Sequence, residues 1–151
     1  MNIIIIIIII IIINLFFIFS AINLVAIGDT SSLVDSAVFL AEEGKIYITN
    51  FKGVRKGAIS FSEGEGRPEH LDIHAKYLAA MTDKGILKIF DVSQPNKPKA
   101  MGSAINFFKS VVSSGEEAST MKIRSIHVNC DGTRIAVLVD HELGALKVKM
   151  N

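Results

Sequence analysis

The stretch YLAAMTDKGILKIFDVS, residues 77–93, decides the fold. Two apolar runs, Tyr77 to Met81 and Ile86 to Phe90, flank the polar turn Thr82-Asp83-Lys84-Gly85. Short runs around an Asp/Gly turn read as a β-hairpin, because Asp bonds the local backbone and Gly accepts φ > 0. Two other stretches read the same way. AVFLAEEGKIYITNF (37–51) turns at Glu42-Glu43-Gly44, and RIAVLVDHELGALKVKM (134–150) turns between Asp140 and Gly144. The hairpins superimpose, with Ala37 over Leu78 and Gly44 over Gly85 at a spacing of 41, and Ile135 over Leu78 at a spacing of 57. The longer spacing is assigned to an insertion loop at 103–120, SAINFFKSVVSSGEEAST. A period near 40–45 with several short strands per unit is the signature of a β-propeller blade.

The segments around the hairpins complete the units. EHLDIH (69–74) and IRSIHV (123–128) alternate apolar and polar residues and read as innermost strands. RKGAISFSEGEG (55–66) and KPKAMGS (97–103) read as outermost strands, with Pro95 and Pro98 at a sheet edge, where no ladder donor is required. CDGTR (130–134) is a tight turn built on Asp131 and Gly132. The expectation is an all-β chain, a partial WD40-type propeller of about three blades. Its first unit is expected to lack the innermost strand and its third the outermost. Phe90-Asp91 stands where Trp-Asp would stand in a WD repeat, with Asp83 in the preceding turn. There is no Trp and no Gly-His pair. Asp83, Gly85, Phe90, Asp91, Asp131 and Gly132 are the expected structural repeat positions.

Residues 3–13 are eleven isoleucines, and the apolar run continues with few interruptions to Ile27. About 20 apolar residues suffice for a bilayer span. No Lys or Arg precedes the run, and the first basic residue after it is Lys45, so neither a signal peptide nor a membrane orientation is specified. A homopolymer of a β-branched residue specifies no packing partner either. The domain reading is therefore an apolar leader at 1–27, helical or disordered, that is a membrane segment or an artefact of the gene model, and a partial propeller at 28–151.

The 151 residues suit one domain, and 16 basic against 15 acidic side chains leave a net charge of +1. That balance gives no support for nucleic acid as a partner. The lone Cys130 permits no intrachain disulfide. His70 and His74 lie four apart, but on a strand that separates them by roughly 13 Å, too far to share a metal ion. Gly64 and Gly66 begin a G-x-G that lacks its third glycine and any helix behind it. No P-loop or G-x-S-x-G occurs. Of Asp72, Asp83, Asp91, Asp131 and Asp140, four sit in or beside strand turns, so turn hydrogen bonding is the reading rather than an acid/base pair. No catalytic residue, metal, cofactor or small-molecule substrate is expected.

Residues 64–93, GEGRPEHLDIHAKYLAAMTDKGILKIFDVS, resemble the intraflagellar transport protein 140 family, whose members are subunits of ciliary transport complex A. Gly66-Arg67-Pro68, Leu71-Asp72-Ile73, Tyr77-Leu78, Thr82-Asp83 and Phe90-Asp91-Val92-Ser93 carry the likeness. The resemblance implies a non-enzymatic scaffold from an N-terminal WD-repeat propeller region, cut inside a propeller at both ends. It implies retrograde transport and delivery of membrane proteins to cilia, with other complex A subunits as partners. The cytoplasm, the cilium and the ciliary base are the implied locations. The alternatives are a generic WD-repeat interaction module and a membrane-anchored β-domain using residues 3–27.

Overall fold

The computed structural model describes residues 24–27, 37–50, 52–112, 122–140 and 146–150. Three antiparallel sheets follow one another along the chain. The first holds β1 (Leu24–Ile27), β2 (Ala37–Glu42), β3 (Lys45–Asn50) and β4 (Arg55–Ser60), in that spatial order. The second orders β5 (Pro68–His74), β6 (Tyr77–Thr82), β7 (Ile86–Asp91) and β8 (Lys99–Ala100), and β9 (Ile105–Asn106) also pairs with β7. A short helix, α1 (Phe107–Val112), leads out of the second sheet. The third orders β10 (Lys122–Val128), β11 (Ile135–Asp140) and β12 (Leu146–Met150). Each sheet is a meander in which successive strands pair, except that β9 pairs with β7. The first strands of the sheets stand side by side, β5 contacting both β1 and β10. Sheets arranged in this way are propeller blades, and the fold is a partial propeller.

Two apolar cores lie between the blades. Phe39, Ala41, Ile46, Ile48 and Ile59 of blade 1 meet Leu78, Ala80, Phe90 and Val92 of blade 2. Ala79, Met81, Leu87 and Phe107 of blade 2 meet Ile123, Ile126, Val128, Ile135, Val137 and Val139 of blade 3. Strand β6 therefore faces a core on both sides: Leu78 and Ala80 point to blade 1, and Ala79 and Met81 to blade 3. All four are fully buried. That is why 78–81 carries no polar residue, while β11 alternates buried and half-buried positions. Burial of each large side chain here stabilises the fold by about 1.5–3 kcal/mol.

The structure corrects the sequence reading at two points. Blade 1 has an innermost strand, because Leu24 to Ile27 pairs with Val38 to Ala41. This strand lies inside the stretch read as a helical or disordered leader; the isoleucine run itself lies outside the described residues. The repeat register between blades 1 and 2 also differs. Phe39 and Ala41 face blade 2 as Ala79 and Met81 face blade 3, a spacing of 40 on this strand. On the next strand Ile46 corresponds to Leu87, a spacing of 41. The difference is a turn residue. Blade 1 closes with Glu42 opposite Lys45 around Glu43 and Gly44, both at positive φ (43° and 78°). Blade 2 last pairs Met81 with Leu87 around a longer turn ending at Gly85. A slip of one residue exchanges the two faces of a strand, so Ala37 cannot stand over Leu78. The spacing of 57 from Leu78 to Ile135 agrees with the packing, since each faces the preceding blade.

Within the stretch read as an insertion loop, β9 and α1 occupy 105–112, and Phe107 is 1% exposed in the core between blades 2 and 3. Residues 113–121 lie outside the described residues.

Candidate interaction surfaces

The Asp83 turn ties the entry to blade 2 onto its hairpin. The Arg67 N–H donates to Asp83 Oδ1 at 2.8 Å, and the Asp83 N–H donates to the Arg67 carbonyl at 2.8 Å. Thr82 Oγ1 donates to the Glu65 carbonyl at 2.6 Å and accepts from the Ile86 N–H at 3.1 Å. Lys84 Nζ donates to the Glu63 carbonyl at 2.7 Å, and Lys88 pairs with Glu65. Hydrogen bonding from Lys88, then from the Ser62 backbone, holds the Glu65 carboxyl below its ordinary range despite some burial. Gly66 is required at this junction: its φ is +86°, and a Cβ there would collide with Asp83 Oδ1 and lie 2.9 Å from Lys84 Cγ. Gly85, at φ +69°, lies against the Phe108 ring of α1, with Cε2 2.6 Å from where a Cβ would stand.

Phe90 is 6% exposed in the core between blades 1 and 2, and Phe61 meets it edge-on at 6.2 Å between centroids. Asp91 beside it accepts from the Ser93 N–H at 2.9 Å and pairs with Lys76 Nζ at 3.0 Å. Burial pushes the Asp91 carboxyl up, and the Ser93 and Lys76 contacts outweigh it, leaving a net lowering. Asp131 Oδ1 accepts from the Thr133 N–H at 2.9 Å and from Thr133 Oγ1 at 2.5 Å, and these bonds lower its pKa. Gly132, at φ +69°, approaches the Tyr77 ring so closely that a Cβ would lie 2.6 Å from Cδ1.

The structure thus places the expected repeat positions at three separate points of the blades. It does not gather them into one site. Asp72 has a different geometry from the aspartates in the turns. Asp72 sits on β5, the innermost strand of blade 2, and its Oδ2 accepts from the Val128 N–H on the innermost strand of blade 3 at 2.7 Å. His127 Nδ1 lies 3.8 Å from its other oxygen. The bond joins two blades at their inner edges.

Two clefts open between these elements. One, of about 570 Å³, lies at the junction of blades 2 and 3, among Arg67, His70, Asp83, Phe108 and Lys122. Burial holds the His70 imidazole below its ordinary range, opposed by the Glu69 carboxylate. The other, of about 510 Å³, lies at the outer edge of blade 2, among Asp91, Ser93, Gln94, Lys97 and Lys99. Among the described residues, no three His, Cys, Asp or Glu side chains come together as a metal site. No helix among them is long and apolar enough to cross a membrane. The carboxylates Asp72, Asp83, Asp91 and Asp131 are each engaged by a backbone N–H group, which ties turns and neighbouring blades together.

Meander sheets packed blade against blade, with their innermost strands side by side, define the class of the fold, a WD-type propeller. The chain belongs to the IFT140 family: the description IFT140 second beta-propeller matches residues 24–150. That range begins at the first residue of β1. The resemblance read from residues 64–93 therefore extends across all three blades. A crystal structure of HIRA(644-1017) shares the fold with a TM-score of 0.51 and 13% identity, covering 83% of this chain and 38% of that chain. The chain spans well under half of that solved neighbour, and at this identity the likeness speaks for the fold alone. No curated protein matches the chain.

Proposed function

We propose that the chain is a non-enzymatic scaffold of ciliary transport complex A and acts in retrograde intraflagellar transport through protein–protein contacts. The observation that carries this reading is the family match across residues 24–150. Its partners are the other complex A subunits, and its place is the cilium and the ciliary base. Asp83, Gly85, Phe90, Asp91, Asp131 and Gly132 hold blade geometry in this reading and touch no substrate. The Arg67–Asp83 bond pair and the close approaches at Gly85 and Gly132 support that role. Affinity purification of the tagged full chain from ciliated cells tests the function. Recovery of other complex A subunits is expected, and recovery of an unrelated set instead overturns the assignment.

A further inference from the structure

Charge on this nearly neutral chain is unevenly placed. The outermost strand of blade 1 with its turn, residues 51–60, carries Lys52, Arg55 and Lys56 and no carboxylate. The outer edge of blade 2, residues 92–106, carries Lys97 and Lys99 and no carboxylate. All five cations are exposed. Among the described residues none of them joins an ion pair. The nearest acid of the cleft wall, Asp91, is held by Lys76. Arg55 stacks over the Tyr47 ring at 3.6 Å, which fixes its guanidinium without neutralising it.

Among the described residues, the exposed large apolar side chains fall on the same two segments. Val54 is 53% exposed, Met101 39% and Ile105 40%. Apolar and cationic residues thus alternate along the rim: Lys52, Val54 and Arg55, then Lys99 and Met101. The two segments meet where Gly57 of β4 packs against Pro95 and Asn96, with Asn96 Cα 3.4 Å from the position of a Gly57 Cβ. Lys56 precedes that contact in one chain segment and Lys97 follows it in the other.

We infer that the outer rim of blades 1 and 2 docks an acidic, partly apolar peptide segment of a partner protein. The inference rests on the scaffold reading and adds the chemistry of one partner surface. Carboxylates of the segment meet Lys56, Lys97 and Lys99, and its apolar residues cover Val54, Met101 and Ile105. A peptide suits the rim better than an anionic membrane. The cleft of about 510 Å³ beside Lys97 and Lys99 offers directional partners in Ser93 and Gln94, and Asp91 in its wall. A side chain can enter that concavity, whereas a planar layer of headgroups would bridge it.

The test uses the full chain and a fluorescent twelve-residue peptide alternating Glu with Leu and Ser. The same peptide with Gln for Glu is the control, and vesicles of phosphatidylserine and phosphatidylcholine are the competing probe. Saturable, salt-sensitive binding of the Glu peptide is expected, weakened roughly tenfold by Lys97→Glu with Lys99→Glu. Lys56→Glu should weaken it as well, while Lys122→Glu with Arg134→Glu should not. Equal binding of the Gln peptide, equal loss in the Lys122/Arg134 variant, or binding of vesicles without the peptide would each overturn the proposal. Purification from ciliated cells separates this from the scaffold reading. If the Lys97/Lys99 variant recovers every complex A subunit as the wild type does, this surface is not the docking site and the scaffold reading stands. If the wild type recovers none, the scaffold reading fails.

Discussion

Gly57→Ala probes the seam between blades 1 and 2 without disturbing a turn. Gly57 lies on β4 opposite Ile48, outside the positive-φ region, so alanine is conformationally acceptable there. Space is the obstacle. A Cβ would overlap the Pro95 carbonyl oxygen and lie 3.1 Å from its carbon. The neighbour is backbone, held between β7 and β8, and no flexible side chain can swing away. Relief needs a separation on the order of one ångström between the outer parts of the blades, a form of overpacking that costs about 1–3 kcal/mol. In a chain of 151 residues that corresponds to a fall in Tm of about 3–10 °C. Lys56→Ala at the exposed neighbour is the reference, expected to stay within about 0.5 kcal/mol of wild type. Thermal unfolding of the full chain followed by circular dichroism measures both. A Gly57→Ala midpoint indistinguishable from Lys56→Ala would refute the close approach of Pro95 and with it the packing of these two blades.

Asp72→Ala should lower stability by about 1.5–3 kcal/mol, because the partly buried Val128 N–H loses a charged acceptor. Asp72→Asn keeps an acceptor oxygen and should cost less, as urea denaturation of the two variants would show. Gly132→Ala should destabilise by at least about 1 kcal/mol through the combination of φ +69° and the Tyr77 ring, with the thermal midpoint as readout. Asp91 and Glu65 have carboxyls lowered by their partners in the folded state. Their contribution is therefore present above the unfolded carboxylate range and is lost as pH falls through the folded values. Stability should decline as pH drops below about 4, and Asp91→Asn should make that decline shallower in denaturation series between neutral and acid pH.

The hairpins of all three blades were legible because a short apolar run beside an Asp/Gly turn has few other solutions. Innermost strands β5 and β10 were legible from their alternation, and the Asp131-Gly132 turn from its residue types. β1 was not legible: Asn23 and Gly28-Asp29 bound Leu24 to Ile27, but the long apolar run before them drew these four residues into one leader, and only pairing with β2 defines the strand. The register slip between blades 1 and 2 was hidden because β6 is apolar at each of Leu78, Ala79, Ala80 and Met81. Its two faces look alike in sequence, and only the facing cores distinguish Leu78 from Ala79. Asp72 was seen as one of several acids, since a contact with Val128, 56 positions away, leaves no local trace. Gly57 was equally silent, because its requirement comes from a chain segment distant in sequence.

Hydrogen–deuterium exchange of the full chain tests the central structural claim most directly. A propeller in which blade 2 is enclosed by both neighbours predicts slowest exchange at the amides of β6, Leu78 to Met81. These lie between two ladders and beneath side chains that are fully buried. The outer strand β4, which bonds on one side, should exchange faster. Exchange across Leu78 to Met81 as fast as in β4 would contradict a second blade packed between the first and the third, and with it the propeller on which the scaffold reading depends.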